Sequence, residues 1–526
     1  MNNNINEVIE HISHRVQNIL KDPPSPVLSV SAAVAATWAI WRLTLTRRKA
    51  NTPPIVPYNI PFIGNGLDLS KDPRKFIDKC KKRYGPIFQI TTFGKTMVVV
   101  TGPYIQECFR LGDKYLDFNE GVEDFLPLQR ILNISYDKQK RQEVKHENEN
   151  KSPIVKAVRN NFKSHQLKIF EDRMQYAVDR GLELDIHFEP GAKSTTLEID
   201  AVQHMVGRIS ALLFAGREVG ESEELITAMA TYAQSIFKAA IAYTSLPANL
   251  ADFVTKNYLD ISDQIDITMK HITPVLTKVK EQEEKEGQMD PDFFMHMMLH
   301  MPNADGSQPT PEEAGFWLQD ISFASIHTTS LFTTWALHLL SDRPDIQELI
   351  RQETEAAKKK HGVLTPAVVK DMPIIDSIFR ETLRLNSDYI GINHKAMQDT
   401  VLSNGIIIPK GKSVGMAVDD VHNDPTIQHV GENNIPLTEM DPRRFVSRKT
   451  KKSTSVGLDL LSFGLGYHAC PGRYLASQEI CYLLAKILED YDISPDTKDG
   501  KRAPNRVAMG FLQLTPAKGV VLTKRS

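Results

Sequence analysis

The sequence predicts a mainly α-helical protein with small β-sheets, an α+β body preceded by a single transmembrane helix. Three observations carry this reading. Apolar residues recur at helical spacing almost throughout residues 153–376. Short β-branched runs bounded by glycine or proline stand on either side of that stretch. Near the amino-terminus an apolar segment is followed at once by a basic cluster.

The amino-terminal segment PVLSVSAAVAATWAIWRLTLT, residues 26–46, is uncharged until Arg42, and Arg47, Arg48 and Lys49 follow it. The run from Val27 to Trp41 is shorter than the ~20 residues of a bilayer span. Counting to Leu45, with Arg42 snorkelling to the interface, reaches that length. Trp38 and Trp41 suit an interfacial belt, and the basic cluster on the far side places the bulk of the chain in the cytosol. A cleaved signal peptide would carry its basic residues on the near side. The chain therefore divides into a polar segment 1–25, a transmembrane anchor 26–46, a basic and proline-rich linker 47–64 and a folded domain 65–526. Pro53, Pro54, Pro57 and Pro61 exclude a helix in the linker and favour a stiff extended arm.

Within the domain, FQITTF (88–93) and KTMVVVTGP (95–103) read as a hairpin. KVKEQEEKEG (278–287) reads as a solvated helix face, and FFMHMMLHM (293–301) as core packing. A long helix starts at Pro311 and ends near Ser341. Thr310 suits its N-cap, Pro311 the first helical position and Glu313 the capping box. About 30 residues at a 1.5 Å rise reach ~45 Å, enough to cross a whole domain. NGIIIPKG (404–411) reads as a strand entering a turn, and ASQEICYLLAKILEDY as a helix. No second folded module is visible.

A net charge of −2 and the lack of a compact basic stretch with aromatics argue against nucleic acid as a partner. The cysteines are Cys80, Cys108, Cys470 and Cys481, too few for a disulfide framework and without a CxxC pair for zinc. Cys470 lies in FGLGYHACPGR, residues 463–473. A cysteine binds metal as the thiolate, and the start of a helix favours negative charge. Gly464, Gly466 and Gly472 let backbone approach something flat and bulky, Phe463 can shield the sulfur, and His468 can donate to an anion beside it. This environment suits an axial thiolate on haem iron. Cys470 as a nucleophile would need an oriented histidine base, and no orienting partner is evident beside His468.

FGLGYHACPG resembles the haem-binding signature of the cytochrome P-450 monooxygenases, with matches at Phe463, Gly466, His468, Cys470 and Gly472. Three further stretches occur in the family's order. FRETLRLN (379–386) places Glu381 and Arg384 three apart on one helix face, and DPRRF (441–445) supplies Arg444. The resemblance makes these three a structural triad rather than a catalytic one. FASIHTTS (323–330) resembles the oxygen-activating motif, with matches at Ala324 and Thr328. The resemblance implies that Thr328 hydrogen-bonds oxygen or a proton-delivering water, with His327 and Thr329 beside it. Ser325 stands where the family has glycine, and His327 where it has an acid. A histidine can also relay protons, since its ordinary pKa is ~6.5. Read alone, these threonines equally suit back-bonding to the preceding turn. INHKAMQDT (392–400) places His394, with Lys395 next, where the family commonly holds a haem propionate. The family's tryptophan-containing helix is not evident in KSPIVKAVRNNF, where Lys156 and Arg159 are the candidate bases.

The resemblance, strongest to fungal secondary-metabolism members that oxidise terpenoids, implies the cytochrome P-450 fold and haem b as cofactor. It implies oxidation of a lipophilic small molecule with O2 and NADPH-derived electrons. NADPH and flavins would act through a separate NADPH–cytochrome P-450 reductase, with cytochrome b5 as a further partner. It also implies a single-pass protein of the endoplasmic reticulum membrane with a cytosolic catalytic domain. The alternatives are a reductase-independent haem-thiolate isomerase or dehydratase, and a non-enzymatic haem-binding protein. Thr328 argues against both. The substrate wall is expected from residues 115–134, Phe316, Trp317, Phe323, 390–392 and 509–512.

Overall fold

A computed structural model describes residues 51–135, 153–286, 294–303, 306–431, 434–448 and 450–525. The predicted polar segment 1–25 and anchor 26–46 lie outside the described residues. Of the linker, the part from Asn51 is an extended arm, as the prolines require. It lies along the edge of a sheet, with the Val56 N–H donating to the Gln89 carbonyl at 2.8 Å and the Gln89 N–H to that of Pro54 at 2.8 Å.

Seven helices frame the centre: α1 (Phe118–Phe125), α2 (Pro153–Asn161), α3 (Ile199–Ala215), α4 (Glu223–Ser245), α5 (Pro311–Ser341), α6 (Pro373–Leu385) and α7 (Arg473–Asp490). Helix α5 is the axle. Its start is fixed by the predicted capping box: Thr310 Oγ1 accepts the Glu313 N–H at 3.2 Å, and Glu313 Oε2 accepts the Thr310 N–H at 2.8 Å. Most of its length is buried, and it packs against α3, α4, α6 and α7. Trp317, Leu318, Leu337 and Leu340 enter one core with Ile209 and Leu212 of α3 and with Ile480 and Leu484 of α7. The first free N–H groups of α6 are taken by Glu353 of a neighbouring helix, at 2.7 Å for Ile374 and 2.9 Å for Ile375. Among the described residues one helix, α4, is long and apolar enough to cross a membrane, but more than half of its most apolar stretch is buried inside the body, as in a core helix.

Strands β1 (Ile87–Thr92), β2 (Lys95–Val100), β3 (Leu116–Asp117), β4 (Gly391–Ala396) and β5 (Ser413–Met416) form one sheet in the order β1-β2-β5-β4-β3. The predicted hairpin is β1–β2, antiparallel with Ile87 opposite Val100. Strands β2 and β5 run parallel, and β4–β5 is antiparallel with its register shifted between Gly391 and His394. Inside that irregularity Ile392 has φ +51°, a strained setting for a β-branched residue. A second hairpin, β6 (Arg506–Ala508) and β7 (Leu512–Leu514), lies near the chain's end. A three-stranded sheet sets Val520–Lys524 between Ser194–Leu197 and Tyr491–Pro495. Ser194–Leu197 interrupts the stretch read as helical, because its pairing partner lies more than 300 residues away. Of NGIIIPKG only Ile407–Ile408 is a strand, paired with Thr400–Val401.

Helix α1 crosses β4 at closest approach over Gly121. A Cβ there would stand 2.3 Å from His394 Cα and 2.4 Å from the Asn393 carbonyl oxygen, both backbone atoms that cannot swing away. Gly→Ala inside an exposed helix ordinarily stabilises by ~1 kcal/mol. At Gly121 the sign reverses, and Gly121→Ala is expected to cost ~1–3 kcal/mol through overpacking. Thermal unfolding followed by circular dichroism checks this; an unchanged or raised midpoint would contradict it.

Candidate active site

The cysteine loop is fastened to the core before it reaches the cysteine. The Leu461 N–H donates to His422 Nε2 at 2.8 Å, which leaves Nδ1–H for the Arg384 carbonyl at 3.1 Å and the Ser387 hydroxyl at 2.8 Å. His422 is fully buried, and burial with the Arg384 charge beside it pushes its pKa down to about 3, so the ring is neutral and able to accept. Ser462 Oγ donates to the Leu383 carbonyl at 2.7 Å. The chain then turns through Gly464 and Gly466, at φ +71° and +70°, values glycine adopts without strain. The Cys470 N–H closes the turn on the Phe463 carbonyl at 2.8 Å, and Arg473 donates to the Cys470 carbonyl at 2.7 Å.

Helix α7 begins at Arg473, so Cys470 precedes a helix start, as predicted. Burial pushes its thiol up. The N–H groups of Gly472 and Arg473 and the Arg473 charge pull the other way without overcoming it. Coordination to a metal removes such a thiol's proton outright.

Cys470, Phe463, Gly464, His468 and Gly472 form one wall of a cavity of about 580 Å³. Ala324, Ser325, Thr328 and Thr329 of α5 line the same cavity, with Val155, Val158 and Arg159 of α2. Residues from three distant parts of the sequence, near 155, 325 and 470, thus meet around one space. A Cβ at Gly472 would meet no atom within 4 Å, so this glycine borders open room. A thiol at a helix start, glycines at the rim and a largely apolar enclosure fit a haem.

Thr328 faces the cavity, and its Oγ1 donates to the Ala324 carbonyl at 2.8 Å, so the back-bond and the cavity position coexist. Thr329 is buried beside it. His327 is not among the cavity-lining residues. One residue turns a helix by about 100°, and His327 instead stacks on Phe237 of α4, ring centroids 3.8 Å apart. Burial pushes its pKa down to about 4, so it is neutral near pH 7.

His394 and Gly466 also stand outside the main cavity's lining. His394 bonds through Nδ1 to the Ile392 carbonyl at 2.9 Å and sits edge-on to Phe109 and Phe118. Burial pushes it down to about 4. With His468 it lines a second cavity of about 220 Å³ that also touches Asp113 and Tyr467. His468 Nε2 lies 2.7 Å from Asp113 Oδ1, with its ring stacked on Phe118. Arg159 donates to the Tyr467 carbonyl at 2.6 Å and lies over that tyrosine's ring. Lys395 is paired with Asp124 at 3.0 Å and Glu120 at 3.4 Å.

The three triad residues come together with no exposed side-chain surface. Arg384 binds both Glu381 oxygens, at 2.7 and 3.0 Å, and the carbonyls of His422 and Leu437. Arg444 binds Glu381 Oε2 at 3.1 Å and gathers the carbonyls of Val430, Ile435, Pro436 and Glu439. The partners that a buried ion pair requires are therefore present.

Phe118, Val122, Phe125, Gly391, Ile392 and Leu512 line the cavity from the segments expected for the substrate wall. Phe316 and Phe323 pack instead on a neighbouring apolar cluster, and Trp317 is buried in the main core. Polar lining residues outside the motifs include Asp320, Asp388, Asn393, Ser462 and Glu479. Burial holds Asp388 up to about 7 and Glu479 up to about 8.

The cytochrome P-450 family pattern matches residues 53–521. Similar proteins include the cytochrome P-450 monooxygenase paxP of Penicillium paxilli, 29% identical over 57% of this chain and 59% of that protein. The cytochrome P-450 monooxygenase ntnM of Nectria sp is 29% identical over 64% of this chain and 63% of that protein. Cytochrome P-450 monooxygenase 103 of Postia placenta is 24% identical over 88% of this chain and 92% of that protein. The matches to paxP and ntnM thus span less than two thirds of those relatives' length. The fold is that of the retinoic acid bound cyanobacterial CYP120A1, with TM-score 0.65 and 20% identity, covering 91% of this chain and 100% of that one. With the cysteine loop, the α5 threonines and the buried triad assembled in a body that the family pattern spans from residue 53 to 521, the chain belongs to the cytochrome P-450 family, whose cofactor is haem b.

Proposed function

We propose that this protein is a membrane-anchored haem-thiolate monooxygenase that hydroxylates or further oxidises a lipophilic small molecule, a terpenoid or related fungal secondary metabolite. One observation carries the reading: Cys470 and Thr328 line the same enclosed, largely apolar space. Haem bound there would supply the oxygen chemistry, with O2 as oxidant and electrons from NADPH through a separate reductase, with cytochrome b5 as a further donor. Of the chain's own residues, Cys470 would hold the iron through its sulfur, and His394 and His468, which line the adjoining cavity, would hold the cofactor's carboxylates. Phe463, Gly466 and Gly472 shape the loop around the sulfur. Thr328 can accept a hydrogen bond from one water in the cavity while its own O–H donates to the Ala324 carbonyl, and so orients that water. Thr329 lines the cavity beside it. His327, neutral and stacked on Phe237, acts on the relay by holding α5 against α4. The apolar walls suit a terpenoid-sized molecule. The apolar run at residues 26–46 and the basic cluster after it support an anchor with the domain on the cytosolic side, and the family reading makes that membrane the endoplasmic reticulum.

The first experiment is the spectrum of reduced, carbon-monoxide-bound protein in microsomes, followed by NADPH-dependent turnover with added reductase. A strongly red-shifted Soret band supports the reading; a band at the position of histidine-ligated haem overturns it. Thr328→Ala is expected to keep consuming NADPH while diverting it to hydrogen peroxide. Product per NADPH should fall roughly 10-fold or more, short of the ~10²-fold of a lost general acid because water replaces part of the hydroxyl. Tightly coupled turnover in that variant would remove Thr328 from the relay.

A further inference from the structure

The cavity is apolar over most of its wall but carries polar groups from several elements, Asp320, Glu479 and Asp388 among them. Asp388 stands on the segment between α6 and β4, and that segment is rigid. The Tyr389 N–H donates to the Phe511 carbonyl at 2.9 Å. Gln513 Nε2 donates to the Ser387 carbonyl at 2.7 Å, and Asn505 Nδ2 bridges Asn386 and Gln513 at 2.9 Å each. The hairpin β6–β7 therefore clamps residues 386–389 from outside. Within the clamp, Asp388 Oδ1 accepts the Gln513 N–H at 2.9 Å. No hydrogen bond is made by Asp388 Oδ2 among the described residues, although the residue lines the cavity.

Asn393 lies on the same stretch of cavity wall and is 9% exposed. Its Oδ1 is sealed from solvent beside Gly415 of β5, so it does not meet a ligand in the cavity. The strained φ of Ile392 sits between Gly391 and Asn393, where β4 loses register. Such strain is maintained where the surroundings over-determine it, as at ligand sites. The Asp388 Oδ2 acceptor is thus held on a rigid segment at the edge of a space that Phe118, Val122, Phe125 and Leu512 also line. An all-hydrocarbon ligand would cover that oxygen without giving it a partner.

We propose that Asp388 is a specificity-determining anchor that recognises a hydrogen-bond donor, a hydroxyl or N–H group, at one end of an otherwise apolar substrate. This rests on the monooxygenase reading and narrows it: the substrate arrives already carrying a polar group. An unfunctionalised hydrocarbon would come earlier in a reaction sequence, so an oxygenating or N–H-forming step must precede this one. The pKa of Asp388, held up to about 7 by burial, matches a group waiting for such a donor.

The test uses the full-length haem-loaded protein and matched probe pairs. Each pair is a lipophilic alcohol and its methyl ether, in linear, monocyclic and tricyclic terpene skeletons, and binding is read from the spin-state shift. In Asp388→Asn the amide oxygen still takes the Gln513 N–H, so the fold is kept while an N–H2 replaces the cavity-facing oxygen. The wild type is expected to bind at least one alcohol about 10-fold or more tighter than its ether, as a hydrogen bond to a carboxylate implies. Asp388→Asn should lose that preference, leave the ether's Kd within about 2-fold, and keep the red-shifted carbon-monoxide band. An ordinary structural role would weaken alcohol and ether together, and that result overturns the proposal. So does a wild type with the thiolate band that binds every alcohol no tighter than its ether, or binds no probe; the monooxygenase reading then stands. Absence of the thiolate band from the wild type strikes that reading itself, and the anchor with it.

Discussion

Cys470→Ser is expected to abolish the red-shifted Soret band of the reduced, carbon-monoxide-bound protein and to remove NADPH-dependent turnover, while the chain still accumulates in folded form. The reason is a division of labour within the loop. Its shape is held by the Cys470 N–H on the Phe463 carbonyl at 2.8 Å, by Arg473 on the Cys470 carbonyl at 2.7 Å and by Leu461 on His422 at 2.8 Å. None of these uses the sulfur. Serine is nearly isosteric, so the backbone is kept. Its hydroxyl stays protonated where a thiol gives up its proton to a metal. The axial thiolate that pushes electron density towards the opposite ligand position is then lost. Circular dichroism and the spectrum, taken on the same preparation, separate ligation from folding. An unchanged red-shifted band in Cys470→Ser would withdraw Cys470 as the ligand.

Glu381→Ala should have the opposite profile: little folded protein and almost no haem-bound fraction, although Glu381 does not line the cavity at Cys470. It is the only carboxylate paired with Arg384 and Arg444 in the described residues, and all three side chains are sealed from solvent. Removing it strands two buried guanidinium groups, at a cost of ~3–5 kcal/mol. Whole proteins are held by ~5–15 kcal/mol, so this is a large share. The damage travels because Arg444 gathers the carbonyls of Val430, Ile435, Pro436 and Glu439, while Arg384 holds those of His422 and Leu437. His422 in turn carries the start of the cysteine loop. Arg384→Lys should recover little, since an ammonium cannot bridge both Glu381 oxygens and two carbonyls at once. The haem-to-protein ratio and the thermal midpoint report the outcome. A Glu381→Ala protein with wild-type values for both would contradict the triad's structural role.

The parts legible in the sequence are those whose signal is local. The capping box of α5 sits within four residues, Glu381 and Arg384 within one turn, and the glycines around Cys470 within one loop. Each could be read without knowing what lies opposite. His422 could not: VDDVHNDP reads as an ordinary turn, and its role depends on Arg384, Ser387 and Leu461, brought in from both directions along the chain. Asp388 and Asn393 were hidden for the same reason, since only the hairpin clamp and the register shift in β4 show which way they are held. His327 shows a different limit. Its place in the motif was visible, but the ring it stacks on belongs to α4, about 90 residues earlier. The strand Ser194–Leu197 is too short to break a helical pattern by itself.

The position of Val520–Lys524 has a consequence for biosynthesis. It is the central strand of its sheet, so Ser194–Leu197 and Tyr491–Pro495 are joined only through it, and the first of them waits more than 300 residues of synthesis for its partner. The hairpin that clamps residues 386–389 likewise follows the cysteine loop in the order of synthesis. A change that spoils either pairing therefore acts on segments made long before it.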